Sequence, residues 1–124
     1  METIRTKSAP APGGAYAQGV IAHGFLFTAG LGPIDPASGS VVGETIEEQT
    51  VQVMKNLEAI LQAADRSFAD VVRVAVHLQE LHRDFLGFNR TYASFFGDHL
   101  PVRTTVGSQL MGILIEMDIT AAMP

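Results

Sequence analysis

The chain has 124 residues, of which 47% are hydrophobic and 17% are charged, so it is long and apolar enough for one core and too short for two ordinary domains. It contains no cysteine, which excludes a disulfide scaffold, a thiolate nucleophile and cysteine-ligated zinc. The formal net charge of -5, from eight Lys and Arg against thirteen Asp and Glu, argues against a protein that binds nucleic-acid phosphates through a cationic face.

Residues 1–14 are predicted to be a Pro- and Gly-rich lead-in without regular structure. Arg5 and Lys7 are not followed by an apolar run, so this segment is not typical of a signal peptide. The uncharged stretch 8–34 is broken too often by Pro, Gly and polar residues to span a membrane. We therefore expect one cytoplasmic domain over residues 1–124 that contacts neither a membrane nor a nucleic acid.

Two short strands are predicted over 17–21 and 25–29, joined by a tight turn, and a loop rich in turn-forming residues follows. Thr45 and Glu48 then fit a capping box, in which the hydroxyl and the carboxylate satisfy free backbone donors at a helix start. Apolar residues recur after this cap at helical spacing and predict a helix that ends near residue 64. They are Ile46, Val53, Met54, Leu57, Ile60, Leu61 and Ala64.

The second half of the chain begins with a strict alternation of apolar and other residues over 72–78, which predicts a strand with one buried face. A second helix is predicted over 82–97, and two final strands over 103–109 and 112–121. The apolar stripe of the second helix comprises Leu81, Phe85, Phe88, Tyr92, Phe95 and Phe96.

This order of elements predicts an α+β domain with a single sheet and both helices packed on one face. Successive residues of a strand point to opposite faces of a sheet, and here both sets are apolar, as at Ile113, Leu114 and Ile115. No third helix remains to cover the second face of the sheet. We therefore expect the uncovered face to associate with copies of the same chain.

Three charged side chains, Arg103, Glu116 and Asp118, stand in the otherwise apolar last 26 residues. If the two final strands form a hairpin that turns between Gln109 and Leu110, Arg103 faces Glu116. The pair is then either a structural salt bridge or a small-molecule site. In such a site the guanidinium would hold a substrate carboxylate, and the acid would move protons or orient water. Asp118 is interpreted as a solvated or structural acid.

The remaining polar candidates are weaker. The four histidines have no metal-ligand spacing, so no metal site is predicted. The stretch 30–32 lacks the lysine of a phosphate-binding loop. Asn89 lies among aromatic residues and needs a hydrogen-bond partner, for which we expect the backbone of a nearby loop.

Taken in order, these residues resemble the RidA family, also called YjgF/YER057c/UK114, from Ala9 to Ala121. No single motif decides the resemblance, but seven stretches occur in the family's order and spacing. They are GAYAQG at 14–19, FTAG at 27–30 with DPASG at 35–39, EQT at 48–50 leading to NL at 56–57, DVV at 70–72, FNRTY at 88–92 with FF at 95–96, PVRTTV at 101–106, and IEMDI at 115–119.

The resemblance implies a chorismate-mutase-like fold with a single mixed sheet, assembled as a homotrimer whose sheets face inward and whose clefts lie between subunits. It also implies hydrolysis of reactive 2-imino or enamine acids to 2-keto acids and ammonia, as in a 2-iminobutanoate/2-iminopropanoate deaminase, with no metal or organic cofactor. The residues it assigns are Arg103, which would bind the substrate carboxylate, Glu116, which would position water, and the substrate-binding residues Tyr16, Gly30, Thr105 and Asn89.

Two departures from the family pattern leave the substrate open. The family often has Ser-Gly-Gln where this chain has Ala29-Gly30-Leu31, which implies a more apolar cleft, and the segment from Val106 to Ile113 is shorter than usual. The alternative is a non-catalytic or differently catalytic binder of a carboxylate metabolite with the same fold. The endoribonuclease and translation-inhibitor activities attributed to relatives do not fit the acidic charge of this chain.

Overall fold

The computed structural model describes residues 1–124, which form six strands, two helices and one 3-10 turn. Their bounds in chain order are β1 Glu2–Ile4, β2 Gly19–Ala22, β3 Phe25–Thr28, α1 Ile46–Ala63, the 3-10 turn Phe68–Asp70, β4 Val71–Leu78, α2 Leu81–Ala93, β5 Val102–Gly107 and β6 Ile115–Ala122. The helices and the interior strands begin and end within a few residues of the bounds that periodicity predicts.

The six strands form one mixed sheet in the order β1-β2-β3-β6-β4-β5. Only β4 and β5 are parallel, and α2 provides the crossover that a parallel pair requires. Both helices pack on one face, so the predicted α+β architecture is confirmed. The predicted hairpin of the last two strands is wrong, because β4 lies between β5 and β6 and pairs with both.

Helix α1 begins at the predicted capping box. The Thr45 hydroxyl accepts a hydrogen bond from the Glu48 backbone N–H at 3.1 Å, and Glu48 Oε1 accepts one from the Thr45 N–H at the same distance. Hydrogen bonds from the backbone N–H groups of Thr45 and Glu44 lower the pKa of the Glu48 carboxyl below its usual range. The cap therefore fixes the first turn, and the apolar stripe that follows faces the sheet.

The core lies between the two helices and the inward face of the sheet. Alternate residues of β6 point into it throughout, and alternate residues of β4 do so from Arg73 onward, after a register shift between Val71 and Arg73 that leaves Val72 exposed. Its fully buried side chains include Leu57, Ile60 and Leu61 from α1, Phe88 from α2, Val74, Val76 and Leu78 from β4, and Ile115, Met117 and Ile119 from β6.

The opposite face of the sheet has no helix to cover it, as the sequence predicts. On this face, Phe25 is 40% exposed and Phe27 is 46% exposed, and Val106 of the edge strand β5 is also exposed. We call this surface the open face. It leaves large apolar side chains in contact with solvent in a single copy of the chain.

The lead-in is not wholly irregular, which corrects the prediction for residues 1–14. Strand β1 pairs with β2, with Thr3 opposite Val20. Three residues are too few to show an alternation of burial in sequence, so no pattern marks the strand. The segment after β1 is held by the buried Gln18 amide, which accepts from the Thr6 N–H at 2.8 Å and donates to the Pro10 carbonyl at 2.9 Å. None of the helices is long and apolar enough to cross a bilayer.

Candidate functional site

Arg103 lies on the edge strand β5 and points toward α2. Its Cζ lies 5.7, 5.2 and 4.8 Å from the ring centroids of Phe85, Phe88 and Tyr92, and its Nη1 donates to Oδ1 of Asn89 at 2.8 Å. We call these four α2 residues the arginine cradle. No carboxylate lies within 4.0 Å of the guanidinium, so its positive charge is not neutralised within the chain.

The cradle is a consequence of helical spacing. Positions 85, 88, 89 and 92 are three or four residues apart and therefore share one face of α2. Aromatic faces attract a cation within about 6 Å, and a neutral amide oxygen fixes the rotation of the fork without cancelling its charge. Sequence reasoning placed these rings in the core and gave Asn89 a backbone partner. The second expectation is wrong, because Asn89 accepts from Arg103 instead.

The Tyr92 hydroxyl is the unusual group in this cradle. It is buried and has no hydrogen-bond partner. Burial raises the pKa of the Tyr92 phenol above its ordinary value, and the nearby positive charge of Arg103 acts in the opposite direction. The phenol therefore remains neutral at physiological pH beside a cation that retains its full charge.

Arg103 and Asn89 open onto a recess of about 360 Å³ at the sheet edge. The wall of the recess is small and apolar, and it is formed by Ala93, Leu100 and Pro101. The recess therefore offers a fixed, positively charged fork at its base and apolar contacts beside it. This arrangement suits a small molecule that carries one carboxylate.

Glu116 lies on β6 and points to the open face, since its neighbours Ile115 and Met117 are buried in the core. The backbone of Leu31 pairs with Met117 in both directions, at 2.8 and 3.0 Å, which lays the chain after β3 alongside β6. Gly30 is thereby placed against Glu116. A Cβ built on Gly30 would lie 2.9 Å from Glu116 Oε2.

Tyr16 stands near the same loop. Its side chain is 51% exposed, and its hydroxyl accepts a hydrogen bond from the Gly13 N–H at 2.9 Å. Tyr16 and Gly30 line one groove of about 340 Å³. The structure therefore gathers Tyr16, Gly30 and Glu116 into a second cluster, which we call the acid cluster.

The expected more apolar cleft does not follow from Leu31. Its side chain is only 5% exposed and packs in the core, and its backbone rather than its side chain meets β6. Ala29 also packs against the core. Leu31 is among the residues that line the groove, but so little of it is exposed that it adds only a small apolar area there. Its main effect is to support the Gly30 loop.

The predicted pairing of Arg103 with Glu116 is wrong. Arg103 is opposite Val74 on the helix side of the sheet, whereas Glu116 is opposite His77 on the open face, and β4 separates the two strands. Thr105 is opposite Val76 and is half-buried on the same side as Arg103. One chain therefore holds two separate groups of predicted site residues. The cradle, with Arg103 and Thr105, lies at the sheet edge, and the acid cluster lies on the open face.

No group of three or more His, Cys, Asp or Glu side chains is placed to hold a metal ion. Among the residues gathered in the two clusters described above, the charged groups are the guanidinium of Arg103 and the carboxylate of Glu116.

Residues 6–123 match the family model described as Endoribonuclease L-PSP. The chain belongs to the RidA (YjgF/YER057c/UK114) family. A RutC family protein of Pyrococcus horikoshii is 43% identical over 122 residues, which cover 97% of this chain and 96% of the relative. Reactive Intermediate Deaminase A, chloroplastic, of Arabidopsis thaliana is 34% identical over 124 residues, which cover 98% of this chain and 66% of the relative.

The crystal structure of Escherichia coli TdcF with bound serine has the same RidA-family fold. It superposes with a TM-score of 0.92 at 29% sequence identity and covers 100% of both chains. The mixed six-stranded sheet with two helices on one face is therefore the fold of this family.

Proposed function

We propose that this protein hydrolyses reactive 2-imino or enamine acids to 2-keto acids and ammonia. The observation that carries the proposal is the Arg103 guanidinium, which is held by three rings and a neutral amide and faces a recess with no carboxylate of its own chain. A guanidinium in this state matches a substrate carboxylate with two parallel donors. The deaminase name of the Arabidopsis relative and the serine bound to TdcF support a small carboxylate-bearing ligand.

We further propose that the complete site forms between subunits of a homotrimer whose open faces point inward. The exposed Phe25 and Phe27 supply an apolar contact surface. The cradle with Arg103 and the acid cluster lie on different sides of one sheet, and in this proposal they are the two half-sites of one chain. Association would bring the cradle of one subunit to the acid cluster of its neighbour. This arrangement unites all six residues that the family resemblance assigns.

In the proposed reaction, Arg103 and Thr105 hold the carboxylate end of the substrate, and Asn89 keeps the guanidinium in register. The protonated imine R–C(=NH2⁺)–COO⁻ is already electrophilic at carbon, so the protein mainly has to place a water molecule. Glu116 accepts a proton from that water as its oxygen bonds to the carbon. The same carboxylate then returns the proton to the amine nitrogen.

The C–N bond breaks as the added hydroxyl becomes the carbonyl, its proton passes by way of Glu116 to the departing ammonia, and the products are R–CO–COO⁻ and NH4⁺. An enamine substrate enters this sequence after it tautomerises to the imine. Tyr16 and Gly30 would line the space in which the reacting carbon sits. The reaction is a hydrolysis, so its atoms and charges balance with water as the only co-reactant.

The test is an assay in which an amino acid oxidase generates the imine in situ and semicarbazide traps what remains. The protein should speed keto-acid release and lower the trapped imine, and Arg103→Ala should abolish both effects. Arg90→Ala is the matched control, because Arg90 also lies on α2 but is largely exposed and approaches only Glu47, at 3.9 Å. The absence of any rate effect across several amino acids would refute the proposal.

The second candidate is binding of a carboxylate metabolite without turnover, which the serine in TdcF favours. Keto acids and amino acids that raise Tm in a thermal-shift screen, with no keto-acid release in the imine assay, would identify this function. Cleavage of RNA is not proposed, because thirteen acids against eight cations leave no basic surface for a phosphate backbone.

A further inference from the structure

His77 lies directly opposite Glu116 in the antiparallel pair of β4 and β6, and both side chains point to the open face. Directly opposite residues on one sheet face have Cβ atoms about 4.5–5.5 Å apart. The imidazole therefore stands directly opposite the acid of the proposed site, although in the single chain no imidazole nitrogen lies within 4.0 Å of a Glu116 carboxylate oxygen. No sequence motif marks it, since His77 occurs only as one polar position in a strand alternation.

The His77 ring is held from its other side. Its Nδ1 lies 2.7 Å from the Ser108 hydroxyl, and the Ser108 backbone N–H donates to the Leu78 carbonyl at 3.0 Å. Ser108 follows the end of β5, so its position is fixed by the sheet. Nε2 of His77 makes no hydrogen bond within the chain, which leaves one ring nitrogen for another partner.

The charged groups on the open face form two sets. Asp118 is opposite Ala75, diagonal to His77, and also diagonal to Arg73, which is opposite Thr120. Arg73 is therefore the permanently charged cation nearest to Asp118 by register, although the two side chains do not form an ion pair within 4.0 Å. The β5 residues on this face are Val102, Thr104 and Val106, and none of them titrates.

Glu116 thus has one directly opposite neighbour on the sheet that is able to carry a positive charge, and that neighbour is His77. If association covers the open face, Glu116 loses solvent, and an unpaired buried carboxylate is costly. A protonated imidazole opposite it would supply the missing charge and restrict the carboxylate. Histidine is the side chain whose charge ordinarily changes near neutral pH.

We propose that His77, oriented by Ser108, is a positioning residue that holds Glu116 charged and directed toward the reacting water. The proposal rests on the function proposed above for Glu116. It makes the deamination step dependent on the charge of His77, so catalysis weakens as pH rises through the titration of this ring. His77 does not contact the substrate carboxylate, which Arg103 holds.

The test compares the pH profile of kcat in wild type, His77→Gln and Ser108→Ala, with Asp118→Asn as the control. His77→Gln retains a polar group near Ser108 but no charge. It should lower kcat roughly tenfold to a hundredfold with KM little changed, and should remove a near-neutral ionisation that Asp118→Asn retains. Ser108→Ala should lower kcat by a smaller factor. A His77→Gln profile that parallels wild type at all pH values would overturn the proposal.

A readout without activity separates this proposal from the proposed function. In NMR titrations, the pH at which the His77 ring signals change should move down in Glu116→Gln, because the directly opposite negative neighbour is lost, and should move clearly less in Asp118→Asn, whose carboxylate is only diagonal to the ring. If this result is obtained with a protein that has no deaminase activity, the pairing of His77 with Glu116 stands and the proposed deaminase function is refuted. Identical curves in wild type and Glu116→Gln would refute the pair, even in an active deaminase.

Discussion

Glu116 occupies the space into which a side chain at Gly30 would project. A Cβ on Gly30 would lie 2.9 Å from Glu116 Oε2 and 3.2 Å from its Cγ, closer than ordinary contacts allow. The glycine is not needed for its backbone angles, because it is absent from the residues with positive φ. Its function is steric, and it lets a carboxylate of β6 lie against the loop that follows β3.

We expect Gly30→Ala to displace the Glu116 carboxylate and to lower kcat/KM roughly a hundredfold, since a shift of about 1 Å in a catalytic group has effects of this size. The free energy of unfolding should change by less than about 1 kcal/mol, because the flexible end of Glu116 can move. Imine-trapping kinetics and thermal unfolding measure the two effects.

Gly32→Ala is the control for this substitution. Its Cβ would lie 3.0 Å from Ile113 Cδ1, so it introduces a similar contact two residues along the same loop but away from Glu116. A loss of activity as large as that of Gly30→Ala would show that the loop, rather than the carboxylate, is what both substitutions disturb.

Because the Asn89 amide is neutral, we expect its replacement by aspartate to preserve stability and to weaken substrate binding. Asn89→Asp keeps an oxygen near Arg103 Nη1, where the hydrogen bond is 2.8 Å, but adds a negative charge. Tm should stay the same or rise, whereas KM should rise roughly tenfold to a hundredfold because the guanidinium is already paired. Asn89→Ala, which leaves the charge free, should raise KM less. An unchanged KM in Asn89→Asp would mean that Arg103 does not hold the substrate carboxylate.

Tyr92 predicts a pH-dependent stability. Burial raises the pKa of its phenol in the folded protein, so above about pH 10 the unfolded chain loses this proton first. The unfolded state then binds fewer protons, and stability falls as pH rises through the ordinary tyrosine range. Tyr92→Phe removes this dependence and also removes an unpaired buried hydroxyl, so its free energy of unfolding at neutral pH should be unchanged or up to about 1 kcal/mol higher.

Denaturant unfolding from pH 8 to 11 measures the difference between the two proteins. The wild-type curve should fall more steeply than that of Tyr92→Phe. Parallel curves would show that the phenol titrates alike in the folded and unfolded states.

The local features of this fold follow from sequence, and the order of its strands does not. The capping box at Thr45 and Glu48 and the alternation of β4 from Arg73 to Leu78 depend on residues close in the chain, and both are present as predicted. The alternation predicted at Val72 is wrong, because a register shift between Val71 and Arg73 leaves Val72 exposed and buries Val71 instead. The last two strands are neighbours in sequence but not in space, because the crossover through α2 places β5 beside β4 in parallel. The loop between β5 and β6 is instead held by the side-chain amides of two residues that are distant in sequence. The amide oxygen of Gln79 accepts a hydrogen bond from the Leu110 N–H, and that of Gln49 accepts one from the Leu114 N–H.

The candidate site shows the same division. The arginine cradle is implicit in the helical spacing of Phe85, Phe88, Asn89 and Tyr92, but its contact with Arg103 depends on the strand order. The cross-strand position of His77 opposite Glu116 depends on the register of β4 and β6. Periodicity predicts which face a residue occupies, and it does not predict which residue of another strand lies opposite.

The two half-sites predict that inactive variants complement one another. Arg103→Ala and Glu116→Ala damage different half-sites, so a cleft between an intact cradle and an intact acid cluster can form only in mixed assemblies. Random mixing of the two chains in equal amounts should restore about one quarter of wild-type activity, since each cleft needs the right chain on both sides. Co-refolding followed by the imine-trapping assay measures this fraction, with each variant refolded alone as the baseline.

Wild type mixed equally with the double variant should retain about one quarter if clefts lie between chains, and about one half if each chain holds a complete site. No recovery in the first mixture and one half in the second would refute a shared site.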